Sequence, residues 1–381
     1  MYFGQLSYTV FQYFGMLRPL TWNSQWKIWI YRIYSIFMIS IYSIFTFSIL
    51  IYLLQDIEEI VNNMETLFHF LAVFAVLIKL MSIMVKRKTL IESKNMLLDE
   101  VCQPRDFYES ELLKNCSKVC RSNTIIFLFM TNISALSVLV TPPSKRSNFP
   151  LPFKVWIPYS LNSRLVYSLT YFHQGVAITM AAFITASVEG LASVIMLQIC
   201  AQLEIIVHRL HLLSQLQRKY YSKFIDYQDE SKLMKDCVDH HIYTYMLGEK
   251  LNELFGLVIF VQFFASMIGL CAVIYPLSKL SINNPSSWRL IFILLTALVQ
   301  IFLYCFYGEK LMKKSMDISK EVYQIDWIET TIRTKKDLTL LMIRAGKPIN
   351  LTGLSLITMK IDTFVKILKS AYSAYNLLKS S

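Results

Sequence analysis

Six polar residues near the end of the sequence, Asp362, Lys366, Lys369, Ser373, Asn376 and Ser380, follow one another at steps of four, three, four, three and four. On a helix these steps place all six on one face, with apolar side chains opposite. A lipid-facing span does not carry Lys360, Asp362, Lys366 and Lys369, since ionised groups are costly in hydrocarbon. The chemistry this pattern offers is ion passage rather than bond making. A polar stripe wants water or protein along it, and late in a polytopic chain it suggests the wall of a water-filled path. Leu377, about 40° from Ser373 around the helix, is the apolar side chain best placed to narrow that path. The alternative is a stripe buried against the chain's own bundle, with Asp362 and Lys366 paired at i and i+4.

A second group could hold a ligand. Phe70 with Phe74, Ile133 with Ser137, His173 with Ala177, and Phe263 with Met267 are each spaced to share a helical face in the outer half of an apolar segment. Mostly apolar walls with a few polar groups suit a small hydrophobic molecule, and ordinary bundle packing gives the same spacing. Glu189 is the one acid between His173 and Leu203 of its apolar segment, ~25 Å below the outer end, where a structural ion pair or a capped inner cavity is expected. His240-His241 lacks a third ligand at a zinc spacing and is expected on a solvated helix face. The seven cysteines show no metal-ligand spacing and none falls in a predicted external loop, so neither a metal site nor a structural disulfide is expected. No catalytic constellation or cofactor is expected either, so the chain does not read as an enzyme.

The elements that must position these residues are membrane spans. With 55% apolar and only 17% charged residues over 381 positions, the chain reads as an all-α integral membrane protein. Charge-poor windows at 28–54, 66–85, 124–141, 173–207, 254–275, 289–307 and 352–378 give seven transmembrane helices. Segments 1–27, 86–123, 208–253 and 308–351 hold 26 of the 38 Lys and Arg residues, against six in the segments on the other side. The first set is therefore expected in the cytoplasm, with the N-terminus cytoplasmic and the C-terminus extracellular. The net charge of +12 follows from this asymmetry and points to anionic membrane lipid, not nucleic acid, as the partner of the basic surface.

Arg32 and Lys79 sit near the inner ends of their spans, where both can reach headgroups. The 142–172 loop, with Pro142, Pro143, Pro150, Pro152 and Pro158 among Phe149, Phe153, Trp156 and Tyr159, reads as a stiff aromatic lid. The fourth, fifth and sixth spans are expected to continue beyond the bilayer as cytoplasmic helical extensions. Residues 316–345 read as one amphipathic helix with Ile325, Ile328, Ile332 and Leu341 near one face, ended by Gly346 and Pro348. Three parts follow: residues 1–307 with six spans and the ligand-binding bundle, 308–351 as a cytoplasmic anchor helix, and 352–381 as the last transmembrane, pore-lining helix.

Several stretches carry a resemblance. Tyr304-Cys-Phe-Tyr-Gly-Glu-Lys-Leu311, Trp327, Ala345-Gly-Lys-Pro348 and Tyr372-Ser-Ala-Tyr-Asn-Leu-Leu378 resemble the C-terminal signature of insect odorant receptors. Leu151-Pro-Phe-Lys-Val-Trp-Ile-Pro158, Tyr171-Phe-His-Gln174 and Leu197-Gln-Ile-Cys-Ala-Gln-Leu-Glu-Ile-Ile-Val-His-Arg-Leu210 are similar to the same family around its fourth span. The resemblance implies an odorant-gated, non-selective cation channel that binds small hydrophobic odorants among the outer halves of the spans. It implies a tetramer held by a cytoplasmic anchor, with the last span lining the central pore, in the plasma membrane of an olfactory sensory neuron dendrite. Segment 208–253 lacks the long insertion of the odorant receptor co-receptor, so the chain is expected to be the ligand-tuning subunit that assembles with it. A gustatory-type channel is the alternative, although the last span lacks that family's ending. A G-protein-coupled receptor is opposed by the charge asymmetry, and a transporter by the lack of internal repeats.

Overall fold

The computed structural model describes residues 4–19, 21–55, 64–140, 150–161, 163–219, 227–279, 284–325, 327 and 330–380. Among them ten α-helices follow in order: α1 (Gln5–Tyr13), α2 (Gln25–Gln55), α3 (Met64–Val85), α4 (Arg87–Leu98), α5 (Phe107–Val140), α6 (Arg164–Lys219), α7 (Tyr227–Lys279), α8 (Pro285–Tyr323), α9 (Ile332–Ala345) and α10 (Ile361–Ser380). A two-stranded antiparallel hairpin, β1 (Thr352–Gly353) with β2 (Ile357–Thr358), precedes α10. Asp56, Glu58, Glu59, Pro142, Pro143, Phe149 and Ile328 lie outside the described residues, and of Leu377 and Ser380 only the helical backbone is described.

α6 is the central helix. Every residue from Ala186 to Leu203 is buried, so lipid does not reach this stretch. Its small residues, Ala181, Ala182, Ala186, Ser187, Gly190, Ala192 and Ser193, let α5, α7 and α8 approach closely. A Cβ on Gly190 would stand 3.1 Å from Thr124 of α5. At 1.5 Å per residue the 56 residues of α6 run to roughly 84 Å, far beyond a ~30 Å hydrocarbon core. Helices α7 and α8 overrun in the same way, as their periodicity predicts.

Helices α2, α3, α5, α6, α7 and α8 are long and apolar enough to cross a membrane. α10 matches the hydrocarbon thickness, its 20 residues rising ~30 Å, but its charged side makes it too polar to stand out on composition.

Two boundaries differ from the sequence expectation. The last helix begins at Ile361, not at 352, because the stretch before it closes a hairpin in which the Met359 amide donates to the Leu351 carbonyl at 2.9 Å. Gly353 and the β-branched Thr352, Ile357 and Thr358 favour that extended alternative. The single helix expected over 316–345 is interrupted between α8 and α9. The Trp327 indole donates to the Val322 carbonyl at the end of α8 (3.0 Å), and Thr331 restarts the chain as the N-cap of α9, its Oγ1 accepting from the Thr334 amide at 3.3 Å. Ile325 and Leu341 are buried as expected, whereas Ile332 is exposed at the first position of α9.

The crossing of α8 over the hairpin depends on one glycine. A Cβ on Gly308 would meet the Met359 carbonyl oxygen at 2.6 Å, and backbone there cannot swing aside as a side chain would. Gly308→Ala is expected to displace the base of α10 and lower stability by about 1–3 kcal/mol, the usual cost of overpacking. A thermal unfolding temperature equal to that of the parent protein would show that the hairpin yields freely.

Candidate functional site

Small side chains on five helices leave a cavity of about 170 Å³ between α3, α5, α6, α7 and α8. Ala72 and Ala75, Ala135, Ala181 and Ala182, Ala265, Ser266 and Gly269, and Ala297 line it, and larger walls come from Phe68, Val76, Val138, Ile178, Leu270 and Ile293. One end is lined by Phe153, 2% exposed, whose backbone is clamped by Gln174: the amide donates to Oε1 at 3.1 Å and the carbonyl accepts from Nε2 at 3.5 Å. His69 stands edge-on to the Phe153 ring, centroids 4.9 Å apart. Its Nε2 is buried without a hydrogen-bond partner among the described residues. Of the expected aromatic lid, Phe153 lines the chamber, while Trp156 and Tyr159 are exposed.

The floor is polar and fully engaged. Lys79 Nζ lies 2.8 Å from Glu189 Oε1, with side-chain exposures of 2% and 1%. Gln300 Nε2 donates to the same oxygen at 2.6 Å, Gln262 Nε2 donates to Gln300 Oε1 at 3.1 Å, and Gln262 Nε2 also reaches Ser266 Oγ at 2.8 Å. Four helices, α3, α6, α7 and α8, are tied at one level. The ion pair expected for Glu189 is present, but the expectation that Lys79 reaches headgroups is corrected: it points inward, because the acid on α6 supplies a partner where lipid supplies none.

None of the eight side chains selected from sequence lines this chamber. Phe70 and Phe74 stack on each other at 5.6 Å, and Phe74 is exposed on the outside of α3. Ile133 and Ser137 are half-buried on a neighbouring face of α5, with Ser137 Oγ bonded to the Ser134 carbonyl at 2.7 Å. His173 Nε2 lies 3.2 Å from the Ile41 carbonyl of α2, and its ring packs on Phe45. Ala177 is in the core, Phe263 packs on Phe264, and Met267 is half-buried. The helices that carry them, α3, α5, α6 and α7, do line the cavity through other residues. The face was displaced by one or two residues, which is 100° or more of rotation. The signal that could have found it is the run of small residues, since a cavity lies where side chains are missing.

On α10, Asp362, Lys366, Lys369, Ser373 and Asn376 are all exposed, whereas Ile367 and Ala371 are 1% exposed. Phe364 meets Phe302 of α8 edge-on at 5.5 Å, and the Ala371 carbonyl faces Cys271 Sγ of α7 at 3.7 Å. The polar stripe is therefore not buried against its own bundle. The apolar face that opposes it packs on α7 and α8. Asp362 and Lys366 do not form an ion pair with each other.

Away from the chamber, the histidine pair is buried rather than solvated, at 0% and 1% exposure. His240 Nε2 contacts Gln202 Oε1 at 2.8 Å, and its Nδ1 lies 3.3 Å from Arg209, which is clamped by Glu109 through 2.7 and 2.8 Å bonds. The partners come from α5 and α6, which is why spacing within α7 could not reveal them. Asp106, Glu109 and His208 lie close enough to suggest a cation site, but Arg209 occupies Glu109 and His208 pairs with Asp106 at 2.7 Å.

Burial and the neighbouring Arg209 push His240 down to about 3, and burial beside Arg344 pushes His241 down to about 4. The unfolded chain, with histidines near 6.5, takes up protons first as pH falls. The stability these neutral rings contribute is complete above about pH 6.5 and is lost below it, at up to about 1.4 kcal/mol per pH unit for each. The unfolding temperature should fall on acidification below about pH 6.5. The drop should be smaller in His240→Gln, and an identical pH profile for the variant would remove His240 from the account.

Long apolar helices around a largely apolar chamber, with a seventh amphipathic helix beside them, define a seven-span, multi-pass, all-helical membrane protein. A model of the family described as 7tm Odorant receptor matches residues 59–372. The chain belongs to that family. It is 24% identical over 250 residues to Odorant receptor 46a, isoform A, of Drosophila melanogaster, covering 65% of this chain and 64% of the relative. It is 22% identical over 230 residues to Odorant receptor 85b of the same fly, covering 60% and 57%. These matches span less than two thirds of the relatives' own length. The fold is similar throughout to that of the olfactory receptor OR5 from Machilis hrabei in complex with eugenol, with a TM-score of 0.84 at 15% identity over 99% of this chain and 97% of that one.

Proposed function

We propose that the chain is the ligand-tuning subunit of a heteromeric odorant-gated cation channel, lying with its N-terminus in the cytoplasm and assembled with a co-receptor in a tetramer. The observation that carries this reading is the largely apolar chamber among α3, α5, α6, α7 and α8, with a His69 ring nitrogen unpartnered among the described residues and a polar floor. A space of about 170 Å³ lined this way takes a molecule of roughly benzene size, the scale of a small volatile. The structure of a receptor with this fold in complex with eugenol supports the same class of ligand. In this reading residues 1–307 form the ligand-binding bundle, the end of α8 with α9 forms the cytoplasmic anchor, and the exposed stripe of α10 contributes to the pore wall.

Co-expression with an insect co-receptor during an odorant panel tests the role, since current should require both chains. Filling the chamber tests the site. Ala182→Phe is expected to weaken or abolish activation by the best odorant by about 1–3 kcal/mol, more for larger odorants than for smaller ones, while leaving basal current intact. Phe74→Ala, on the outside of α3, should keep the parental ranking of odorants. A reversed result, with Phe74 decisive and Ala182→Phe silent, would move the site out of the chamber.

A further inference from the structure

We propose that the foot of α2 binds a phospholipid with a multiply charged, phosphorylated headgroup. A hollow of about 440 Å³ there is lined by Arg18 after α1, Gln25, Trp29 and Arg32 on α2, and Arg87 at the start of α4. Three guanidinium groups share this hollow without a carboxylate. The first 55 residues contain no Asp or Glu. On the facing elements Glu92 is held by Lys250 at 2.6 Å and Glu253 by Thr89 at 3.0 Å. None of the three arginines takes part in an ion pair among the described residues. Cations gathered in this way repel one another unless an anion joins them, and the planar guanidinium fork fits phosphate oxygens two at a time.

The rest of the site selects lipid over a free anion. A second hollow of about 270 Å³ adjoins the first through Tyr31, Arg32 and Arg87, and continues along Ile36, Ile39 and Met84 between α2 and α3. Such an apolar groove suits an acyl chain whose headgroup sits among the arginines. Trp29, 59% exposed with the Arg32 guanidinium 5.3 Å from its ring centroid, is placed as interfacial tryptophans are. The wall is held by fixed bonds. Tyr31 donates to the Leu17 carbonyl at 2.7 Å and Ser35 to the Gly15 carbonyl at 2.6 Å. Gly15, at φ +75°, comes so close that a Cβ would lie 2.9 Å from Ser35 Cα.

The test uses the full-length protein in neutral detergent with a fluorescent phosphatidylinositol bisphosphate as probe. At about fivefold per charge, the triple variant Arg18→Gln, Arg32→Gln, Arg87→Gln should lose affinity on the order of 100-fold. The control Lys27→Gln, Lys88→Gln removes exposed charges outside the hollow and should change it little. Ile36→Trp, at an exposed groove position, should weaken lipid binding with all three arginines in place, which keeps the proposal testable if the triple variant unfolds. Neither inorganic phosphate nor soluble inositol trisphosphate should displace the probe at comparable concentration. Equal losses in the triple and control variants, full displacement by the soluble anions, or unchanged binding in Ile36→Trp would each overturn the lipid assignment.

Discussion

Lys79→Met is expected to destabilise the protein by about 3–5 kcal/mol and to remove most of it from the cell surface, whereas adding Glu189→Leu to the same chain should restore both. The single change leaves Glu189, 1% exposed, with the neutral Gln300 amide as donor and no counter-charge among the described residues. A carboxylate in that position must stay ionised in a low-dielectric interior or take up a proton, and either course weakens the tie between α3 and α6. Removing both charges discards the desolvation cost along with the attraction, so the double variant can match the parent. Glu189→Gln should behave like Lys79→Met, since it strands an ammonium group instead. Surface biotinylation and detergent melting temperatures give the comparison. If the single and double variants are equally stable, the pair is not what fastens these helices.

That pair also marks how far the sequence could be read. Glu189 stands out as a lone acid in an apolar run, so its need for a partner was legible, but Lys79 is 110 positions away and was equally able to point at headgroups. Long apolar periods announced α2, α3, α5, α6, α7 and α8. Asn284 and Pro285 announce the start of α8 through an N-cap bond to the Ser286 amide at 3.1 Å. What period cannot supply is the rotational phase of one helix against another, because phase is set by contacts far apart in sequence. The chamber shows this. The i, i+4 pairs were drawn mostly from large residues, which fill space, whereas much of the void is bounded by small ones, alanines with Ser266 and Gly269, whose clustering across five helices shows only once the helices pack. His240 was misplaced for the same reason: Arg209 and Glu109, which make its burial tolerable, belong to other helices. The polar stripe of α10 was legible because a single helix defines it.

Cysteines placed at Asp362, Lys366, Lys369 and Ser373 are expected to react with water-soluble thiol reagents and to change the current of the co-expressed channel, while cysteines at Ile367 and Ala371 should stay silent. The first four positions are exposed, and the last two are 1% exposed against α7 and α8. Ile367, one of the apolar side chains opposite the stripe, is shielded by its own bundle, so its silence would report burial. Lysines in the proposed cation path would not forbid conduction, since in the proposed heteromer the remaining walls would come from other subunits and screening by water and salt is strong in an open pore. Asp362 does not neutralise Lys366 directly, so charge reversal at Lys366 should shift selectivity toward cations more than a change at a paired site would. Leu377→Ser, next along the helix toward the proposed outer mouth, should raise basal current because a polar group disfavours dewetting at a hydrophobic constriction. Equal reactivity on both faces of α10, or unchanged current after complete modification of the four exposed positions, would take the pore away from this helix.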